Sequence, residues 1–154
     1  MKTKKSILFI AVIHILLISC INKDDNNELN QIEFTTIGQG NLYGNGRENI
    51  VEQNLVVSNE NDWNELINKM NSVNNVSNGF TKSNIDFSNF TVLAVFDEIK
   101  TSGGHSIDMI KIVENDTEII VTIDHILPGI ATTIMTQPYH IVKISKNNKT
   151  IIFE

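Results

Sequence analysis

The sequence contains few of the residues that crosslink a fold or bind nucleic acid. Its 154 residues include one cysteine and two prolines, so no disulfide can form within the chain, and the fold depends on a hydrophobic core. Lys and Arg number 12 against 18 Asp and Glu, a formal net charge of −6, and the basic residues are scattered. Because phosphate backbones require clustered cations, we expect no nucleic-acid partner.

Residues 7–18 form an N-terminal stretch that is apolar apart from His14 and too short to cross a bilayer, which takes about 20 apolar residues. Lys2, Lys4 and Lys5 precede it, and Leu17-Ile18-Ser19-Cys20 ends it. The arrangement resembles a bacterial lipoprotein signal and predicts a signal peptide over residues 1–19. The resemblance implies cleavage before Cys20, a diacylglycerol on its sulfur and an acyl chain such as palmitate on its amino group. An ordinary signal peptide with an incidental cysteine and an uncleaved anchor are the alternatives.

Removal of residues 1–19 takes away three lysines and no acidic residue, which changes the net charge to −6 − 3 = −9. Lys23, Asp24 and Asp25 follow, and they resemble a short signal that sends some lipoproteins to the outer face of the outer membrane. A solvated linker would have the same composition. Residues 20–31 predict a flexible tether, and residues 32–154 suffice for one domain. We therefore expect a lipid-anchored, surface-exposed protein of the outer membrane.

Apolar residues that recur at every second position predict strands through most of the domain. We expect strands around Ile32 and Phe34, at 49–58, at 92–96 as a central strand covered on both faces, at 106–113 and at 118–127. Residues 139–145 and 150–153 are predicted to form a last hairpin. The glycine-rich residues 38–46 predict a wide turn or flexible loop, since they lack the Gly-Lys-Ser/Thr ending of a phosphate-binding loop.

One amphipathic helix is predicted where apolar residues follow helical spacing. Its stripe comprises Trp63, Leu66, Ile67, Met70 and Val73, with Ser58 or Asn59 as the cap. The spacing makes Trp63 a core residue. The predicted fold class is α+β, predominantly an antiparallel β-sheet or sandwich of about seven strands with one main helix.

Three short motifs, in order, resemble a known family. They are Thr101-Ser102-Gly103-Gly104-His105-Ser106-Ile107, then Pro128-Gly129, then Gln137-Pro138-Tyr139-His140. They resemble the C-terminal domain of the PrcB protease-complex subunit family, over roughly residues 32–153. The resemblance implies a membrane lipoprotein that binds or assembles with a protein partner, a protease or its precursor. His105 stands where the family usually has an aromatic residue.

A glycine-rich turn next to a second loop is the predicted partner-binding site, since two glycines permit positive φ and close backbone approach. Its candidate residues are Thr101, Gly103, Gly104, His105, Pro128, Gly129, Pro138 and Tyr139. Hairpin geometry alone is the alternative explanation of the glycines. A loop-type protease inhibitor of the chagasin kind is the alternative mechanism.

A small hydrolase that uses His105 and Ser106 is a further alternative. Asp108 is close to both residues in sequence, and His125 and His140 could approach them in the fold. On a strand, however, Ser106 and Asp108 share one face and His105 takes the other, so the three do not form a catalytic triad. The histidines lack the spacing of a known zinc motif. We expect no catalysis, cofactor, metal site or small-molecule substrate.

Overall fold

The computed structural model describes residues 29–126 and 133–154, which form eight strands, one α-helix and one 3₁₀ helix at Val76–Gly79. Cys20, Lys23, Asp24, Asp25, Pro128 and Gly129 lie outside the described residues. The strands are β1 (Asn30–Gln31), β2 (Thr35–Leu42), β3 (Gln53–Val57), β4 (Phe90–Phe96), β5 (Ser106–Glu114), β6 (Glu118–Ile126), β7 (Gln137–Ser145) and β8 (Thr150–Phe153). The helix α1 is Glu60–Met70.

The strands form two four-stranded sheets. The first sheet has the order β1-β5-β6-β8 and the second has the order β2-β7-β4-β3. Every pair is antiparallel except β6 and β8, which are parallel. The predicted α+β class is therefore confirmed, as a sandwich with a helix on one side.

Strand β4 is the central element, as predicted, because both of its faces are covered. Val92, Ala94 and Phe96 pack with the helix in one core cluster, whereas Leu93 and Val95 pack with the first sheet in another. All five are at most 1% exposed. The molecule thus has three layers, helix, second sheet and first sheet, and two cores separated by the second sheet.

Helix α1 forms where its apolar stripe was predicted. The Asn59 side chain accepts a hydrogen bond from the Asp62 amide at 3.0 Å and caps the first turn. Trp63, Leu66 and Met70 are buried, which confirms Trp63 as a core residue, and the Trp63 indole donates to the Ser83 carbonyl at 3.0 Å. The helix ends at Met70, before Val73.

Two sequence predictions near the N-terminus were wrong in part. Asn30 and Gln31, assigned to the tether, pair with Glu114 and Val113 of β5. The glycine-rich stretch begins inside β2, which continues to Leu42. A Cβ at Gly38 would overlap the Phe80 ring, so this glycine allows an aromatic side chain to lie on the sheet and does not mark a turn.

The predicted last hairpin was also wrong, because β7 and β8 lie in different sheets. The connecting residues 146–149 cross to the first sheet, where Lys149 Nζ lies 2.9 Å from Glu114 Oε2 and donates to the Asn115 carbonyl at 2.7 Å. Strand β8 then runs parallel to β6, and Ile151 and Phe153 pack against the core between the sheets. These apolar contacts decide the pairing of β8.

The topology brings one set of connections together at one end of the sandwich. The end of β2 pairs with the start of β7, the end of β4 with the starts of β3 and β7, and the end of β6 with the start of β5. The chain enters at the opposite end, where β1 pairs with the last residues of β5. No helix within the described residues is long and apolar enough to span a membrane.

Candidate protein-binding site

These connections meet at one end of the sandwich, which we name the turn end. It comprises residues 43–52, 97–105 and 133–136 together with Ile126, the last residue of β6. It contains Thr101, Gly103, Gly104 and His105 of the predicted binding turn. These residues follow β4 and precede β5, so the turn connects the two sheets.

Backbone pairing fixes the turn that follows β4. The Lys100 and Thr136 amides donate to each other's carbonyls at 2.7 and 3.0 Å, and the Thr136 hydroxyl donates to the Ser102 carbonyl at 3.0 Å. Gly104 has φ +82°, so one of the two glycines takes the positive φ that the sequence suggested. Thr101 and Gly104 are exposed, whereas Gly103 is buried.

His105 is held within the turn. Its Nε2 lies 2.9 Å from the Ser102 hydroxyl oxygen, and its carbonyl accepts a hydrogen bond from Asn41 Nδ2 at 3.3 Å. Its Nδ1 is buried and has no hydrogen-bond partner among the described residues. His105 therefore positions the turn next to the end of β2.

Gln137 joins the two longest segments of the turn end. Its Nε2 donates to the Ile50 carbonyl at 2.9 Å and to the Asp97 carbonyl at 3.0 Å. Because both neighbours are acceptors, the amide nitrogen must face them, and the orientation of the side chain is fixed. Gln137 is 2% exposed, so it links residues 43–52 to residues 97–105 from inside the protein.

Pro138 and Tyr139, also predicted at the binding site, are buried beneath it. Tyr139 is 4% exposed, and its ring lies 6.2 Å from the rings of both Phe80 and Phe96. Burial, with the nearby Tyr43, raises the pKa of Tyr139 to about 12. The Pro138 carbonyl accepts a hydrogen bond from the Asp97 amide at 3.0 Å. Both residues shape the turn end from below.

Exposed large apolar side chains are concentrated at the turn end. Of the nine large apolar side chains that are exposed within the described residues, five belong to it: Tyr43, Val51, Ile99, Ile126 and Ile134. Val51 is 71% exposed and Ile134 is 58% exposed. Exposed apolar side chains concentrated at one end of a domain indicate a surface that contacts another protein.

A buried carboxylate lies beside this surface. Asp97 Oδ2 is 3.1 Å from Lys100 Nζ and 3.3 Å from His125 Nδ1, and Oδ1 accepts from the Glu98 amide at 2.8 Å. Burial disfavours the charged Lys100, but the hydrogen bonds and charges of Glu98 and Asp97 outweigh it and raise the pKa of Lys100. The network fixes the start of the turn.

The residues of the hydrolase alternative do not assemble into a triad. Asp108 pairs with Gln39 and lies 3.3 Å from His140 Nδ1, and His125 contacts Asp97. The serine beside His105 is Ser102 and not Ser106, and no carboxylate of the described residues orients the other nitrogen of His105. Within the described residues, no three His, Cys, Asp or Glu side chains form a group that could hold a metal.

The sequence analysis did not identify Tyr43, Val51, Ile99, Ile126 and Ile134 as surface residues. Four of them lie in connections and carry no periodic signal, and Ile126 ends a strand, so the sequence does not indicate that they lie at the same end of the fold. The Ser102–His105 contact was missed for the same reason, since it depends on the conformation of the turn.

Comparison with known proteins finds a family model that matches part of the chain. The family model of the PrcB C-terminal domain matches residues 91–145, and this match confirms the resemblance seen in the sequence. The matched residues run from β4 to the end of β7 and include the turn that follows β4. Residues 32–90 and 146–154 of the predicted domain lie outside the match. No curated protein and no solved structure matches the chain.

Proposed function

We propose that this protein is a non-catalytic binding subunit that associates with a peptidase or its precursor and contacts it through the turn end. The observation that carries the proposal is the cluster of five exposed apolar side chains on the turn end. The match to the PrcB C-terminal domain supports the class of partner.

The turn end suits binding because its segments are already fixed. Gln137 joins two of them, the Lys100–Thr136 pair joins the third, and Asp97 holds the start of the turn. A surface that is ordered before binding loses little conformational entropy when a partner docks. Exposed apolar side chains on an ordered backbone therefore favour binding of a partner.

A lipid anchor at Cys20 would place the turn end away from the membrane. The first strand pairs with the far end of β5, whose nine residues span roughly 27 Å. The membrane attachment would thus lie at the end of the sandwich opposite the turn end, which leaves the turn end free for a partner. Lys23, Asp24 and Asp25, which resemble a surface-export signal, support the proposal that the protein is a surface-exposed lipoprotein of the outer membrane.

Site-specific photocrosslinking in the native cell tests the binding role. A photoreactive residue replaces Val51 or Ile134 in the full chain. In the controls it replaces Ile110 or Ile152, which are exposed on the first sheet outside the turn end. We expect a discrete crosslinked species at the first two positions that contains a peptidase. Equal crosslinking at the control positions, or species without a peptidase, would contradict the proposal.

The anchor is tested separately by metabolic labelling with palmitate. The unmodified chain should incorporate label and sediment with membranes, whereas Cys20→Ser should do neither. A Cys20→Ser chain that is processed and retained by membranes like the unmodified chain would remove the lipidation from the account. The binding role of the turn end would stand independently.

An inhibitor is the second candidate, because adjacent segments that carry exposed apolar side chains at one end of a β-sandwich can also enter an active-site cleft. It predicts a dose-dependent decrease in the activity of the crosslinked peptidase. An assembly subunit leaves the activity of the mature peptidase unchanged.

A further inference from the structure

The turn end contains a pocket between its two longest segments, with a volume of about 450 Å³. Its apolar walls are Ile50, Val51 and Ile99. Gly46 brings the walls together: it has φ +80°, and a Cβ there would lie 2.8 Å from Ile99 Cδ1. An L-residue at position 46 would be strained at this φ and would displace the end of the Ile99 side chain.

Two carboxylates stand at this pocket, Glu52 and Glu98, and both are exposed. The described residues that line the pocket include no Lys, Arg or His. Lys100 lies outside the lining and pairs with Glu98 at 2.9 Å, but the Glu98 side chain is 65% exposed and remains open to a second cation. Glu52 forms no ion pair within the described residues. The pocket therefore presents negative charge above apolar walls.

The interior of the pocket wall has an unused acceptor. Gln137 uses its Nε2 for the Ile50 and Asp97 carbonyls, which fixes its Oε1 on the other side of the amide, and Oε1 has no hydrogen-bond partner among the described residues. Gln137 therefore forms a buried polar part of the pocket lining.

We propose that this pocket binds a lysine or arginine side chain of the partner protein. The aliphatic stem of that side chain packs on Val51 and Ile99, while its cationic group lies at Glu52 and Glu98. Long basic side chains combine an apolar stem, which suits the apolar walls of the pocket, with a charged end, which suits the two carboxylates. This inference rests on the proposed binding function, and it names the chemistry of the partner.

The test uses two small probes with the same stem. The full chain in non-ionic detergent is titrated with Nα-acetyl-lysine amide and with Nα-acetyl-norleucine amide, which lacks the ammonium group, and amide shifts are followed by NMR. We expect shifts at residues 46–52 and 97–100, and roughly two- to fivefold tighter binding of the lysine probe. The preference should decrease at high salt.

Variants locate the effect. Glu52→Gln with Glu98→Gln should abolish the preference for lysine, whereas Glu33→Gln, exposed at the opposite end of the sandwich, should preserve it. Equal binding of the two probes, or shifts outside the pocket, would overturn the inference. A peptidase crosslinked at Val51 together with equal probe binding would leave the proposed function standing and refute the pocket alone. Tighter binding of the lysine probe without a peptidase crosslinked at Val51 would refute the peptidase partner alone.

Discussion

His140 accepts a hydrogen bond from the Met109 amide at its Nδ1, over 3.0 Å, and so joins the second sheet to the first through a buried side chain. Its Nε2 lies 3.0 Å from the Thr36 hydroxyl oxygen of β2. Because Nδ1 accepts, the folded protein holds the neutral imidazole with its proton on Nε2. Burial lowers the pKa of His140, and the charge of Asp108 opposes this only in part.

This contact predicts that stability depends on pH. Folded His140 binds protons less readily than unfolded histidine, whose pKa is 6.5, so its contribution to stability is full above pH 6.5. The contribution should fall as the pH drops below 6.5, until His140 itself is protonated. Thermal unfolding at a series of pH values measures this, and NMR of the imidazole gives the pKa of His140 directly.

His140→Gln should lower the melting temperature at pH 7.5, and its difference from the unmodified chain should shrink as the pH falls. Asn148→Gln is the control, since Asn148 is exposed in the connection before β8 and carries no titrating group. A difference for His140→Gln that does not change with pH would show that the imidazole is not held neutral.

Leu93→Ala should destabilise the protein by about 2–5 kcal/mol, because Leu93 is fully buried in the core between the sheets and its removal leaves a cavity. Urea unfolding measures the free energy. Ile110→Ala, at a side chain that is 57% exposed, should cost less than about 1 kcal/mol. Equal costs would be inconsistent with the two-core arrangement.

Gly104→Ala should cost about 1–2 kcal/mol, because an L-residue is strained at φ +82°. Gly79→Ala is the matched control: Gly79 is not among the glycines with positive φ, and a Cβ there would meet nothing within 4 Å. The same urea measurement applies. A Gly104→Ala chain as stable as Gly79→Ala would show that the turn adopts another conformation.

Gln137→Leu should loosen the turn end, since it leaves the Ile50 and Asp97 carbonyls without their donor. We expect a loss of about 1–3 kcal/mol in unfolding free energy and faster amide hydrogen exchange at residues 97–105. Gln53→Leu, at the start of the edge strand β3, serves as the control. Unchanged exchange in Gln137→Leu would mean that other contacts fix the turn.

The sequence predicted elements well and their partners less well. The alternation in β5 and β6 and the helical stripe of Trp63 identified elements, because each pattern reflects a face that is buried. The pairing of β8 depends on which core accepts Ile151 and Phe153, and local patterns do not determine that. Gly38 was misread because its role is to accept Phe80, a contact over 42 residues of sequence.

The candidate site was predictable only as a turn. The Gly103-Gly104 pair indicated an unusual backbone, and Gly104 has one. The apolar residues that make the turn end a surface, such as Val51 and Ile134, come from separate connections, and only the sheet register brings them together.

The affinity of the crosslinked peptidase for surface variants tests the central claim most directly. Ile134→Asp places a charge at the turn end, where the side chain is 58% exposed. Ile110→Asp places the same charge on β5, at a side chain that is 57% exposed. If the turn end is the contact surface, Ile134→Asp should weaken binding at least tenfold, about 1.4 kcal/mol, and Ile110→Asp should leave it within twofold. Equal affinities for the two variants, or a larger loss for Ile110→Asp, would contradict the account.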